Sequence, residues 1–416
     1  MWKLTKVAAV AAALAAAVAA HAGEVEVLHY WTSGGEAKSA AELKKMMQAK
    51  GHTWRDFAVA GGGGDSAMTV LKSRVISGNP PSAAQVKGPA IQEWASEGVL
   101  GNMDALAKSE KWDEALPKVV ADVMKYKGNY VAAPVNVHRV NWIWASSDAL
   151  KKAGVAAMPK TWDEFFAAAD KLKAAGLIPV AHGGQNWQDF TTFESVVLGV
   201  GGPKFYQDAL VKLDDKALTS DTMKKSLETF RRIKTYTDPG APGRDWNLAT
   251  AMLIQGKAGF QLMGDWAKGE FIAAGKAPGK DFMCAAAPGT ANAFTFNVDS
   301  FILFKLKDAA AQKAQSDLAS AIMSPGFQEV FNLNKGSIPV RAGQSMDKFD
   351  DCAKASAKDF ADTAKSGGLV PSVAHDMAIA PATEGAIKDA VSQFWNDDKV
   401  SVADAMKKIA TAAKTR

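Results

Sequence analysis

Glu24-Val25-Glu26-Val27-Leu28-His29-Tyr30, followed by Trp31-Thr32-Ser33-Gly34-Gly35-Glu36, is the stretch from which the fold is read. Residues 24–30 alternate as a half-buried strand does, and the next six form a polar, aromatic loop. A helical stretch, Ala37 to Ala49, carries Leu43, Met46 and Met47 on one face, and Gly51 stops it. Thr53 to Val59 reads as a second strand, and Gly61-Gly62-Gly63-Gly64 as a loop. Ser66 to Ser77 reads as a helix and Ala83 to Val86 as a third strand. Farther on, Thr161-Trp162-Asp163-Glu164 is a capping box, in which the Thr161 hydroxyl and the Glu164 carboxylate satisfy each other's backbone N–H. That helix should end at Gly176, with Leu177 to Ala181 the strand after it. Ser324-Pro325 opens another helix, Ser as cap and Pro in its first turn, which ends by Lys335-Gly336. Strands alternating with helices predict α/β layers.

Residues 1–22 read as an export signal. Lys3 and Lys6 precede an apolar run from Val7 to Ala20, and Ala20-His21-Ala22 fits a cleavage site. The run is shorter than the roughly 20 residues that span a bilayer. No Cys stands near the cleavage point to carry a lipid. The mature protein is expected to be exported and soluble, starting near Gly23.

The chain has 416 residues, 48% hydrophobic and 22% charged, which excludes a disordered or collagen-like protein and suggests two or three domains. Formal charge is +5, and +3 once Lys3 and Lys6 are removed (47 basic minus 44 acidic). Lys and Arg are scattered, so no nucleic-acid stripe is expected. Two Cys, 284 and 352, exclude a disulfide scaffold, and in an oxidising compartment such a pair usually bridges. The six His are dispersed and no H-E-x-x-H or C-x-x-C occurs, so no metal or cofactor is expected. No phosphate loop or nucleophile elbow occurs either.

The positive signal is aromatic. Twelve Trp accompany only five Tyr. Trp94, Trp112, Trp142, Trp144, Trp162 and Trp395 sit in regular stretches and are expected to be packing. Trp31, Trp187 and Trp266 sit beyond strand ends, where open α/β sheets hold ligands. The loops Gly183 to Gln188 and Gly264-Asp265-Trp266, and the segment Asn297-Val298-Asp299, add amides and carboxylates. Indole faces match the apolar C–H faces of a pyranose, while amides and charges match its hydroxyls. A few hydrogen bonds to charged groups plus one or two stacked rings reach roughly −8 kcal/mol, a micromolar site. A cleft ring such as Trp266 should contribute little to either core.

At this point the chain resembles the exported solute-binding proteins of ABC sugar importers, in the group that includes maltodextrin-binding protein. It is most similar to glucose-binding proteins of Gram-negative bacteria. The likeness is carried by Pro159 to Phe165, by Ser324-Pro325 with Gln328 and Phe331, by Gly336-Ser337-Ile338-Pro339-Val340-Arg341, and by the crossover run Tyr130 to Val137. It implies an α/β periplasmic binding protein fold of two discontinuous lobes joined by a hinge. Lobe one would be 23–134 plus 300–337, and lobe two 135–299 plus 338–416. Cys284 and Cys352 both fall in lobe two, and a bridge requires their Cα atoms within about 7 Å. The implied ligand contacts are Trp31, Glu36, Lys87, Trp187, Asp265, Trp266, Asn297, Asp299, Lys335 and His375. Gln92, Glu93, Trp246 and Arg341 are set aside. Where maltodextrin binders stack an aromatic ring this chain has His375, which turns the expectation from an oligosaccharide to a monosaccharide, glucose first. The implied protein is a periplasmic monomer that closes on its sugar and docks on the membrane subunits of an ABC permease. It does no chemistry and binds no nucleic acid. The alternatives are an oligosaccharide binder and, in a different class, a secreted glycosidase using Asp265 with Asp299.

Overall fold

The computed structural model describes residues 22–415, so the expected export signal, apart from Ala22, lies outside the described residues. The alternating stretch is strand β1 (Glu24–His29), with Val25, Val27 and Leu28 buried. It pairs in parallel with β2 (Thr53–Ala58) and with β3 (Ala83–Gln85). Helices Gly34–Ala49 and Asp65–Ile76 make the crossovers that parallel neighbours require. A short hairpin, β4 (Lys125–Tyr126) and β5 (Asn129–Tyr130), precedes β6 (Ala132–Pro134). Next come β7 (His138–Arg139), β8 (Trp142–Ser146), β9 (Ile178–Val180), β10 (Ala258–Leu262) and β11 (Phe282–Ala286). The last three strands are β12 (Phe294–Asn297), β13 (Ser300–Leu303) and β14 (Leu369–Pro371).

These strands form a two-lobed α/β fold. One lobe is built on a five-stranded sheet of order β2-β1-β3-β13-β6. The other holds the sheets β11-β8-β10-β9 and β14-β12-β7. The chain crosses between them beside the sheet junctions. Ser300 pairs with Pro134 in the first lobe, while three residues earlier Asn297 pairs with His138 in the second. A third segment joins at the bridge between Val137 and Ile338. Three backbone segments thus cross side by side between the lobes, the arrangement of a hinge. Among the described residues no helix is long and apolar enough to cross a membrane.

The caps read from sequence are present. Thr161 accepts from the Glu164 N–H, and the Glu164 carboxylate accepts from the Thr161 N–H. Ser324 accepts from the Phe327 N–H, and Gly336 ends that helix at φ 92°. Other bounds moved. The first helix starts at Gly34, not Ala37. Glycines disfavour helix interiors, but here the Gly35 N–H donates to the Glu270 carboxylate of the other lobe at 2.8 Å, which satisfies one orphan donor of the first turn. Trp187 lies in the first turn of helix Asn186–Tyr206 rather than in a loop.

Cys284 on β11 and Cys352 in helix Asp351–Ser366 are joined by a disulfide, with Cα atoms 6.2 Å apart. The indoles of Trp112, Trp142, Trp144 and Trp395 are buried packing, as expected. Trp94 also packs, edge-on to Phe304 with centroids 6.0 Å apart, but it is only partly buried and lines a cavity as well.

Candidate functional site

Both lobes send strand ends and helix starts to one small cavity of about 40 Å³. All but one of the ten residues read from sequence line it: Trp31, Glu36, Lys87, Trp187, Trp266, Asn297, Asp299, Lys335 and His375. Asp265 does not. It stands one layer back, where His138 Nδ1 bonds its Oδ1 and the Arg139 N–H donates to its Oδ2 at 2.9 Å. Its carboxylate is therefore used to orient His138, not offered to a ligand.

His138 was not among the residues singled out from sequence. It lies on β7, buried, and its ring spans two acids: Nδ1 faces Asp265 and Nε2 meets Asp299 Oδ2 at 2.9 Å. Burial disfavours the imidazolium, but the two carboxylates more than offset this and raise its pKa. The same contact works on Asp299. Burial pushes its pKa up, yet His138, Lys335 and Lys87 hold it well below the usual carboxylate range. Asp299 also accepts from Gln85 Nε2 at 3.3 Å and Asn136 Nδ2 at 3.2 Å. The sequence signal for His138 was slight: it is one of four polar residues, with Asn136, Arg139 and Asn141, interspersed among apolar ones. Trp246, set aside above, also lines the cavity, as do Tyr30, Gly62 and Gly63. Of the others set aside, Glu93 lines only a neighbouring cavity. Gln92 donates to the Val123 and Lys125 carbonyls, and Arg341 to the Met323 carbonyl.

The charged walls are paired. Lys335 Nζ donates to Glu36 Oε1 at 2.5 Å. Lys87 Nζ lies 3.2 Å from Asp376 Oδ2, an ion pair between the two lobes. Burial works against the Lys87 charge, but Tyr30 and Asp376 outweigh it and raise its pKa. His375 behaves oppositely. Burial and the Lys87 charge push its pKa well below the ordinary value, so its ring is neutral. The Thr191 hydroxyl donates to the Trp187 carbonyl at 2.8 Å and contacts His375 Nε2 at 3.0 Å. That hydroxyl has one hydrogen, so Nε2–H donates to it and Nδ1 remains an acceptor. Asn297 Oδ1 is buried without a hydrogen-bond partner. Such an atom costs roughly 1–3 kcal/mol until something donates to it.

The rings form a cluster rather than a row of exposed platforms. Trp266 meets His375 and His138 nearly edge-on, with centroids 4.8 and 5.2 Å away. Trp187 lies 6.4 Å from Trp266 and 5.7 Å from His375. Trp266 is only 6% exposed, so it packs as part of a core as well as facing the cavity, contrary to the expectation that a cleft ring contributes little. Trp31 likewise lies against Phe301 and Phe331. Among the described residues no cluster of His, Cys, Asp or Glu is placed to hold a metal ion.

A second, larger cavity of about 660 Å³ adjoins the first and shares Tyr30, Gly63 and Lys87 with it. Its outer walls include Trp94, Glu384 and Lys388.

Residues 31–320 match the family described as bacterial extracellular solute-binding protein. A "probable sugar-binding periplasmic protein" of Rhizobium meliloti is 49% identical over 399 residues, covering 96% of each chain. A protein of the same name from Brucella suis is 48% identical over 422 residues, covering 100% of this chain and 99% of the relative. In fold, the chain is similar to a solved chitin oligosaccharide binding protein, with TM-score 0.80, 18% identity, and coverage of 94% of this chain and 98% of that one. On this family match, and on identity that runs along nearly its whole length, the chain belongs to the bacterial extracellular solute-binding proteins.

Proposed function

We propose that this protein is the periplasmic sugar-binding component of an ABC importer, that its ligand is a monosaccharide, glucose first, and that it acts as a monomer delivering that sugar to a membrane permease. One observation carries the reading. A single small cavity combines the indoles of Trp187 and Trp266, the Glu36–Lys335 ion pair, the Lys87 ammonium and an unpartnered amide oxygen on Asn297. Apolar rings beside buried donors and acceptors suit a pyranose. The names of the relatives point the same way.

Lobe one is read as 23–134 plus 300–337 and lobe two as 135–299 plus 338–416. Each lobe supplies part of the wall, so sugar binds the closed arrangement more tightly than the open one and shifts the population toward it. A cavity of about 40 Å³ has room for two or three waters, so a pyranose enters only when the lobes part. Lys87–Asp376 and Gly35–Glu270 are contacts that break on opening and re-form on closure.

A glycosidase reading loses ground because His138 occupies both acids it would use. Asp299, held ionised, is no proton donor. A disaccharide or longer sugar is a second reading, favoured by the 660 Å³ cavity alongside. Titration calorimetry with glucose, its epimers and disaccharides decides between them. Micromolar or tighter binding of glucose alone supports the monosaccharide. Silence with all monosaccharides and tight binding of a disaccharide sinks it.

A further inference from the structure

The run Gly61-Gly62-Gly63-Gly64 joins β2 to helix Asp65–Ile76 in the first lobe. Its backbone lies directly against Trp187, which belongs to the second. A Cβ built on Gly62 would stand 2.9 Å from Trp187 Cζ2, and one on Gly63 would stand 3.0 Å from Cγ and Cδ1. The first is closer than real Cβ atoms come and the second is tighter than most, so a bare backbone seats there without displacing the indole. The indole has nowhere to retreat. Its Nε1 donates to Gln185 Oε1 at 2.9 Å, and His375 and Trp266 stand against it.

We propose that this glycine run is a specificity-determining wall of the site: its backbone seats on the Trp187 indole across the cleft and so sets how far the lobes close and what size of ring fits beneath. The run thereby has a role that the ligand contacts leave unexplained. Gly62 is the position to test, because its φ is negative whereas those of Gly61, Gly63 and Gly64 are positive. Alanine at 62 strains no backbone. It adds one methyl group, whose three nearest neighbours are all atoms of Trp187.

The inference rests in part on the sugar reading, so its test has two arms. In the first, glucose affinity is measured by calorimetry for wild type, Gly62→Ala and the control Gly326→Ala, whose added methyl meets nothing within 4 Å. Gly62→Ala should bind glucose roughly tenfold more weakly, the usual scale for one methyl too many in a tight contact. Gly326→Ala should match wild type, and all three should melt alike. Phe at 187 lacks the indole atoms nearest Gly62. In a Trp187→Phe background, Gly62→Ala should therefore cost little further, a coupling that a general loosening of the loop would not produce.

The second arm needs no sugar. Ile76 and Leu248 are exposed, one on each lobe, and the described residues contain no free cysteine. Spin labels at Ile76→Cys and Leu248→Cys report the distance between the lobes. Gly62→Ala should leave that distance longer than in wild type whenever the closed form is populated. The proposal is overturned by equal glucose affinity, by an equal loss in the Trp187→Phe background, or by identical distance distributions for wild type and Gly62→Ala. If wild type binds no sugar, the function reading fails, and the distances alone decide the wall.

Discussion

Two buried carboxylates, Asp265 and Asp299, share the imidazole of His138, and this sets the charge balance of the cavity floor. Buried acids of this kind are tolerated only while a cation faces them. Replacing His138 by Asn leaves both without their shared partner. We expect a loss of roughly 3–5 kcal/mol in stability, read from urea denaturation, together with loss of sugar binding. Adding Asp265→Asn to that variant should recover part of the stability and none of the binding. An unchanged denaturation midpoint for His138→Asn would show that the ring is not holding the acids. The residue scale is also where sequence reading was weakest. Glu36 and Lys335 were both singled out, but their mutual ion pair, 299 positions apart in the chain, was not. Asp265 was placed at the ligand because it follows a strand end and, by resemblance, belongs with Trp266 to the segment that offers a stacking ring. Its actual neighbour depends on a strand 127 positions away.

Helix Asn186–Tyr206 carries more than Trp187. Two turns on, buried Glu194 reaches the segment that positions His375. It accepts from Ser372 Oγ at 2.6 Å, Val373 N at 2.9 Å, Ala374 N at 3.1 Å and the Tyr206 hydroxyl at 2.8 Å. Burial lifts its pKa from 4.5 to about 7, against those donors. The folded form therefore holds the proton more tightly than the unfolded chain. Glu194's contribution is whole below about pH 4.5 and is lost as pH rises through about 7. The shift corresponds to about 3 kcal/mol in all. Glu194→Gln should remove this downward slope, as measured by denaturant midpoints from pH 4.5 to 8. A wild-type slope that survives the substitution would assign it elsewhere. Among the elements, caps were readable because they are local: Thr161 and Ser324 find their partners within three residues. The start of helix Gly34–Ala49 was not, because Glu270 of the other lobe helps to cap it.

The whole molecule is two lobes and three crossings, and the disulfide fastens one of its long returns. Cys284 and Cys352, 68 residues apart, tie the helix that follows the third crossing to the second-lobe sheet. Closing a loop of that length stabilises by about 4 kcal/mol in the chain-entropy model. Cys284→Ser with Cys352→Ser should lower the thermal midpoint while sugar affinity at room temperature is kept, since neither Cys lines the cavity. Equal midpoints with and without the bridge would show that it adds nothing. The sequence by itself determined the α/β class, the first three strands, the helix caps, the two Cys as a candidate pair and nine of the fourteen residues that line the cavity. Each of these follows from local periodicity, from short-range hydrogen bonding or from a likeness spread along the chain. Tertiary structure alone decided that His138 bridges Asp265 and Asp299, that Trp266 is as much core as cleft, and that Gly62 and Gly63 rest on Trp187. Those contacts join residues more than a hundred positions apart, and no local pattern records which strand ends two folded lobes bring together.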